Sequence, residues 1–264
     1  MKWVCGIEYD GTKYFGWQKQ KLVCTIQESI ENVLSKIANH NINLICAGRT
    51  DRGVHGITQI VHFLTFSVRS KKEWLLGANS LLPSDITILW LKKIPENFDA
   101  RFSALSRSYR YIIFNSAIRS SFLKRYSYHL RKILDIKKMK HASQYLIGQH
   151  NFSAFRSSGC QSLSPYRTIF FIHILQFKKF IIIDIIANSF LYHMVRNIVG
   201  CLVLIGLSIH EPLWIKQVLD KKDHHKKYST APSHGLYFLS ASYPSHFLVP
   251  NNIYKSSFLI FFNI

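Results

Sequence analysis

Residues 2–9 alternate between the two faces of an extended chain and predict a strand, closed by the turn Asp10-Gly11. Thr25 and Glu28 have the spacing of a capping box. Ile26, Ile30, Val33, Leu34 and Ile37 then line one face at helical spacing. Residues 43–47 and 58–66 predict strands, 71–82 a helix and 86–94 another strand. Two helices among strands make an α+β pattern in which the helices cover one face of a sheet.

The second half has a similar outline. A strand from about Ser103 to Phe114 is followed by a helix with Asp135 as N-cap, running to about Ile147. Strands at 168–177 and 180–187 flank a hinge at Lys178-Lys179, and 191–209 reads as a buried helix. A shorter helix at 212–219 and a last strand at 236–243 complete the set. A boundary near Pro95–Phe102 gives an N-terminal domain of residues 1–98 and a C-terminal domain of residues 99–264. The expected fold class is α+β: two ferredoxin-like, RRM-like halves whose mainly antiparallel sheets join side by side, with a basic cleft where they meet.

Charge changes the picture first. Thirty-four Lys and Arg against fourteen Asp and Glu leave a formal +20, a surplus that points to a polyanionic partner, foremost nucleic acid. Compositional drift toward Lys does not account for the arginines, Arg49, Arg52, Arg107, Arg110 and Arg196 among them. The five cysteines (5, 24, 46, 160 and 201) are scattered, odd in number and never spaced C-x-x-C, which argues against a disulfide framework or zinc site and suits a reducing cytoplasm. His224-His225, inside a Lys-rich run, reads as a solvated loop rather than a metal pair. Met1 leads straight into a strand-like segment with no signal peptide in view. The longest apolar runs, 198–209 and 180–187, are shorter than the roughly 20 residues a membrane span needs.

Three segments carry candidate chemistry. Gly48-Arg49-Thr50-Asp51-Arg52-Gly53-Val54-His55 lies between two strands and forms a tight exposed loop. Taken alone, its carboxylate reads as a turn residue ahead of a catalyst. However, Arg49 and Arg52 flank Asp51 and favour the ionised form a nucleophile needs. In Arg107-Ser108-Tyr109-Arg110-Tyr111, rings alternate with arginines, as base stacking beside phosphate contacts would require; a half-buried strand with edge tyrosines reads equally well. Arg196 opens the most apolar helix. Either it caps the core facing water, or it is partly buried and needs a carboxylate, for which Asp51 is the candidate because acids are scarce.

The run Cys46-Ala47-Gly48-Arg49-Thr50-Asp51-Arg52-Gly53-Val54-His55 resembles the signature loop of the bacterial tRNA pseudouridine synthase A family. The likeness extends over almost the whole chain. It takes in Gly6–Gly11 with Tyr14 and Gly16-Trp17-Gln18, Ala100–Ala104, Tyr109-Arg110-Tyr111, Cys160-Gln161-Ser162, His193–Gly200, and Ala231-Pro232 with Gly235-Leu236. The resemblance implies Asp51 as nucleophile, Tyr109 stacked on the target base, Arg49 extruding the nucleotide and Arg196 paired with Asp51. It also implies tRNA contacts at Arg69, at the Arg101-Phe102 corner and in the Gly159–Leu163 loop with Gln161 and Ser162. It further implies action on uridines 38, 39 and 40 of the anticodon stem-loop, a homodimer, and no cofactor or metal. Arg52 stands where the family usually has Ala, adding charge beside the nucleophile.

Two other classes compete. A non-catalytic tRNA chaperone would keep the basic surface and tolerate loss of Asp51, against which the intact Arg49-Thr50-Asp51 argues. A metal-dependent nuclease would need clustered carboxylates, and only Asp51 lies in a suitable loop.

Overall fold

The computed structural model describes residues 1–221 and 228–250; His224-His225 and the tail 256–264 lie outside the described residues. From the N-terminus the elements are β1 (Lys2–Tyr9), α1 (Ile26–Ala38), β2 (Ile45–Cys46), β3 (His55–Leu64), α2 (Lys71–Leu81), β4 (Ile86–Ile94), β5 (Ser106–Asn115) and β6 (Tyr128–Leu130). They continue with α3 (Ile136–Gln144), β7 (Gly148–Asn151), β8 (Tyr166–Phe177), β9 (Phe180–Ala187), α4 (Met194–Gly206), α5 (Trp214–Lys221) and β10 (Leu236–Ser242). The chain forms two compact units, Met1–Arg107 with Tyr237–Ile264, and Ser108–Leu236. The first unit is therefore discontinuous in sequence.

In the first unit the strand order is β4-β1-β3-β10, with β2 beside β3. β1 is antiparallel to both neighbours, while β10 joins β3 in parallel through Tyr237 opposite His55 and Phe238 opposite Gly56. β1 is buried on both faces, so its burial does not follow the alternation of its sequence. Trp3, Cys5 and Ile7 meet Ile30, Leu34, Trp74 and Ala78 of α1 and α2 in one core. Opposite them Val4 pairs with His62, where Phe98 packs edge-on at 5.9 Å and is itself covered by Tyr243 and Phe247. A central strand covered on both faces gains apolar burial at every position.

Several local expectations shift. The box expected at Thr25 and Glu28 does not form: Thr25 is fully buried without a side-chain cap bond, and Glu28 faces Lys19 Nζ at 3.8 Å. The capping box is instead at α2, where Ser70 accepts from the Glu73 amide at 3.2 Å and Glu73 accepts from the Ser70 amide at 2.7 Å. Only Ile45 and Cys46 of the strand expected at 43–47 pair with β3. β3 starts at His55 rather than 58, because its first two residues pair with β10 from the far end of the chain.

In the second unit the order is β5-β9-β8-β7, with β6 parallel to β5. β8 is antiparallel to both β7 and β9. Both units are thus α+β with mixed, mainly antiparallel sheets. Asp135 caps α3 by accepting from the Lys138 amide at 3.0 Å, but the helix ends at Gln144, where Tyr145 and Leu146 tighten into three-residue turns. α4 is shorter than the helix expected at 191–209, because His193 adopts a left-handed φ of 61° and starts the helix at Met194. Among the described residues no helix is long and apolar enough to cross a membrane.

The arginines of β5 are not phosphate contacts in waiting. Arg110 makes a two-pronged pair with Asp184 of β9, at 2.7 and 2.8 Å, with both side chains mostly buried. Arg107 is buried too. Its Nε donates to Ala47 O and its Nη1 to Ala104 O, each at 3.1 Å, and its Nη2 donates to Arg101 O. These side chains tie segments together, and the alternation of rings with arginines is structural on the arginine side. Asp184→Ala should lower the urea-unfolding free energy by about 2 kcal/mol by stranding Arg110. The pair Arg110→Met with Asp184→Leu should restore all but about 1 kcal/mol. No loss in Asp184→Ala would show that the pair holds nothing.

Candidate active-site loop

The loop between β2 and β3 is assembled from below. Ala47 donates its amide to Ile60 O at 2.8 Å, and Gln59, fully buried, donates to Gly48 O at 2.6 Å, so the loop leaves the sheet in a fixed direction. Thr50 is buried, with its hydroxyl 2.8 Å from that of Tyr9. Burial pushes the Tyr9 phenol far above its ordinary range, so the ring keeps its proton and stays a hydrogen-bonding group. Thr50 O accepts from the Trp17 amide at 3.0 Å, and Val54 closes the turn by donating to Asp51 O at 3.1 Å. Arg49 and Arg52, either side of this pinned backbone, are exposed, and Asp51 is half-buried.

Gly16 makes this packing possible. Its φ is 91°, and a Cβ there would lie 2.7 Å from Thr50 O and 3.1 Å from both the Arg52 amide nitrogen and the Asp51 carbonyl carbon. The backbone of 16–17 is thus pressed against the loop at the residues on either side of Asp51. At the loop's far end His55 is buried and stacked on Tyr237 at 4.8 Å, with its Nδ1 3.1 Å from the Asp10 carboxylate. Burial alone would raise Asp10, but hydrogen bonds from His55 and Thr12 outweigh it and hold the carboxyl well below its usual range.

The Arg101-Phe102 corner belongs to the same unit and is equally well fixed. Asp99 accepts from the amides of Arg101 and Phe102 at 2.8 and 2.9 Å, and the Ala100 amide donates to His62 Nδ1 at 3.0 Å. Burial holds His62 below the ordinary imidazole value, which matches its role as a neutral acceptor. Phe102 is 78% exposed, with the Arg101 guanidinium 5.2 Å above its ring. Arg49 and Arg101 both act electrostatically on the buried Cys46 thiol, which burial nonetheless pushes up to about 12. Arg69 is exposed and lines an open groove of about 340 Å³ with Lys71, Lys92, Lys93 and Trp3.

In the second unit, Tyr109 is 8% exposed, with Phe190 packed edge-on at 5.0 Å and 85°. Arg196 is held by its Nε, which donates to Ala231 O at 2.8 Å, while Ala231 donates back to Arg196 O at 3.1 Å. Tyr111 holds the next residue of that segment through Pro232 O at 2.7 Å. The segment lies so close to α4 that a Cβ on Gly200 would meet Ser229 O at 2.1 Å. Fully buried Asn197 completes the clamp, donating to Phe155 O and accepting from Thr230 Oγ1, each at 2.7 Å. Gln161 is exposed. The Ser162 hydroxyl accepts from Arg167 Nη2 at 2.6 Å and donates to Ser164 O at 3.1 Å.

Residue by residue, the structure brings Asp51 and Arg49 together on one pinned loop, with Arg101 acting on the same thiol as Arg49. It places Tyr109, Arg196, Gln161 and Ser162 in the second unit. Reading the residues one by one overlooked the parts that hold the loop: Tyr9, Gly16, Gln59 and Arg107. Tyr9 and Gly16 fall within the blocks that carry the resemblance, and Arg107 within the segment of alternating rings and arginines, but neither pattern gives them a part in holding the loop. Among the described residues no group of three or more His, Cys, Asp or Glu is placed to hold a metal ion.

A family model described as tRNA pseudouridine synthase matches residues 7–103 and 142–244, which include Asp51 and Arg196 and leave Tyr109 between the two stretches. The chain is 52% identical over 259 residues to tRNA pseudouridine synthase A of Buchnera aphidicola from Schizaphis graminum, covering 98% of this chain and 97% of that protein. It is 49% identical over 253 residues to the protein of the same name from Buchnera aphidicola of Acyrthosiphon pisum (strain Tuc7), covering 96% and 95%. With that of Vibrio vulnificus (strain YJ016) the identity is 47% over 259 residues, covering 98% of each chain. Relatives this similar over nearly full length settle membership: the chain belongs to the tRNA pseudouridine synthase A family.

Proposed function

We propose that this chain isomerises uridine to pseudouridine at positions 38, 39 and 40 of the tRNA anticodon stem-loop, with Asp51 as the nucleophile on a flipped-out nucleotide. The observation that carries this reading is the loop itself. A half-buried carboxylate stands on a backbone pinned by Gly16, Thr50 and Tyr9, in a family defined by this reaction. A +20 chain supplies the attraction for a polyanion of tRNA size.

The chemistry asks for little else. The N1–C1′ bond breaks, the uracil turns, and C5 bonds to C1′ while its hydrogen leaves as a proton and N1 gains one. Asp51 begins this by attacking C1′, by adding at C6 or by removing the 2′ proton. All three start from an ionised carboxylate held still, and positioning is what the loop provides. Taking the base from the stack costs a few kcal/mol. We assign Tyr109 to stack on it, Arg49 to fill its place and Arg196 to pair with Asp51. Arg69, Arg101, Phe102, Gln161 and Ser162 are assigned to hold the tRNA. In this reading two ferredoxin-like domains with a basic cleft serve one tRNA, the enzyme works as a cytoplasmic homodimer, and no cofactor or metal takes part.

Tritium release from tRNA carrying 5-tritiated uridine tests this. The wild type should release label, and Asp51→Asn should bind tRNA equally while turnover falls at least about a thousandfold. Equal release by both would overturn the assignment. Gly16→Ala should lower the single-turnover rate about a hundredfold, because its Cβ displaces the backbone beside Asp51. Its tRNA affinity should stay within about threefold, since phosphate contacts dominate binding. A wild-type rate would show that Gly16 does not position the loop.

A further inference from the structure

Arg52 follows Asp51 directly, so their Cα atoms are about 3.8 Å apart. Its guanidinium lies 4.2 Å over the ring of Phe15. Phe15 is 40% exposed, and its backbone is held: its amide donates to Cys24 O at 2.9 Å, its carbonyl accepts from Gln20 Nε2 at 3.0 Å, and the next residue is the pressed Gly16. Two cations nearby in sequence have acidic partners. Lys13 pairs with Asp85 at 3.3 Å, and Lys19 reaches Glu28 and Glu31 at 3.8 and 4.0 Å. Among the described residues no carboxylate pairs with Arg52 and its guanidinium donates no hydrogen bond, although the side chain is exposed.

Such a group has a defined chemistry. Stacking on a ring face uses the flat of the guanidinium and orders a side chain that would otherwise be mobile. Its N–H edge stays open for an oxyanion, and a planar fork matches two phosphate oxygens at once. Placed one residue from Asp51, that fork would meet the backbone of an RNA strand that passes over the loop. We propose that Arg52 and Phe15 form a ledge that grips a backbone phosphate next to the target nucleotide. The ledge steadies the strand while the base is turned. This inference rests on the proposed function, since it takes the RNA strand to pass over Asp51.

The test is tRNA binding by fluorescence anisotropy from about 50 to 200 mM salt, run beside tritium release. Arg52→Ala should weaken binding about tenfold and reduce the salt slope by about one. Arg52→Lys, an exposed and conservative change, should keep the slope because it keeps the charge. Phe15→Leu should also keep the slope but weaken binding severalfold, because the guanidinium is no longer held. If the wild type releases tritium and Arg52→Ala binds with unchanged affinity and slope, the ledge is overturned while the proposed function stands. If the wild type releases no tritium, the proposed function falls and the ledge with it.

Discussion

The close approach of Gly16 to the backbone around Asp51 is the constraint on which the loop depends. A Cβ at position 16 would fall 2.7 Å from Thr50 O, so there is room for a glycine and nothing larger. The approach lets Trp17 donate to Thr50 O, while the buried Tyr9 hydroxyl meets the Thr50 side chain from the sheet side. Thr50 is therefore gripped through backbone and side chain together, and the residue after it is presented half-exposed with little freedom to move. Elsewhere in the first unit the design repeats. Arg107, Gln59 and His62 spend side-chain hydrogen bonds on backbone atoms near the loop or the Arg101-Phe102 corner.

The second unit uses the same means for another arginine. Arg196 and Ala231 exchange hydrogen bonds, and Gly200 allows the 229–232 segment to lie on α4. Asn197 then locks that segment to Phe155 and Thr230. In both units, buried polar side chains satisfy backbone groups that irregular segments would otherwise leave unpaired, which is what permits loops this close to a core. Preorganisation of this kind suits a reaction in which positioning, rather than an imported reagent, lowers the barrier.

Much of the fold was legible because its periodicities are strong. The faces of α1 and the β8–β9 pair follow directly from apolar spacing. The misses have physical reasons. β6 and β7 are three and four residues long and carry no alternation, and β3 begins early because of a parallel partner from the end of the chain. Thr25 failed as a side-chain cap because it is buried, whereas exposed Ser70 serves. At the site, the local residues read as an exposed loop with an acid between arginines, and favour a turn over a catalyst. The catalytic reading of Asp51 rests on the resemblance along the whole chain. The strand's own pattern offers Arg110 as a phosphate contact, because its cross-strand partner Asp184, 74 residues away, leaves no mark there.

The central claim is that the buried Tyr9–Thr50 hydroxyl pair holds Asp51 for reaction. A double-mutant cycle of Tyr9→Phe and Thr50→Val, read as the single-turnover rate of tritium release at saturating tRNA, tests it most directly. Each single variant should be slower, and the double variant should be no slower than the worse single, because both remove one interaction. Rate losses that simply add, or no loss in either single variant, would contradict it.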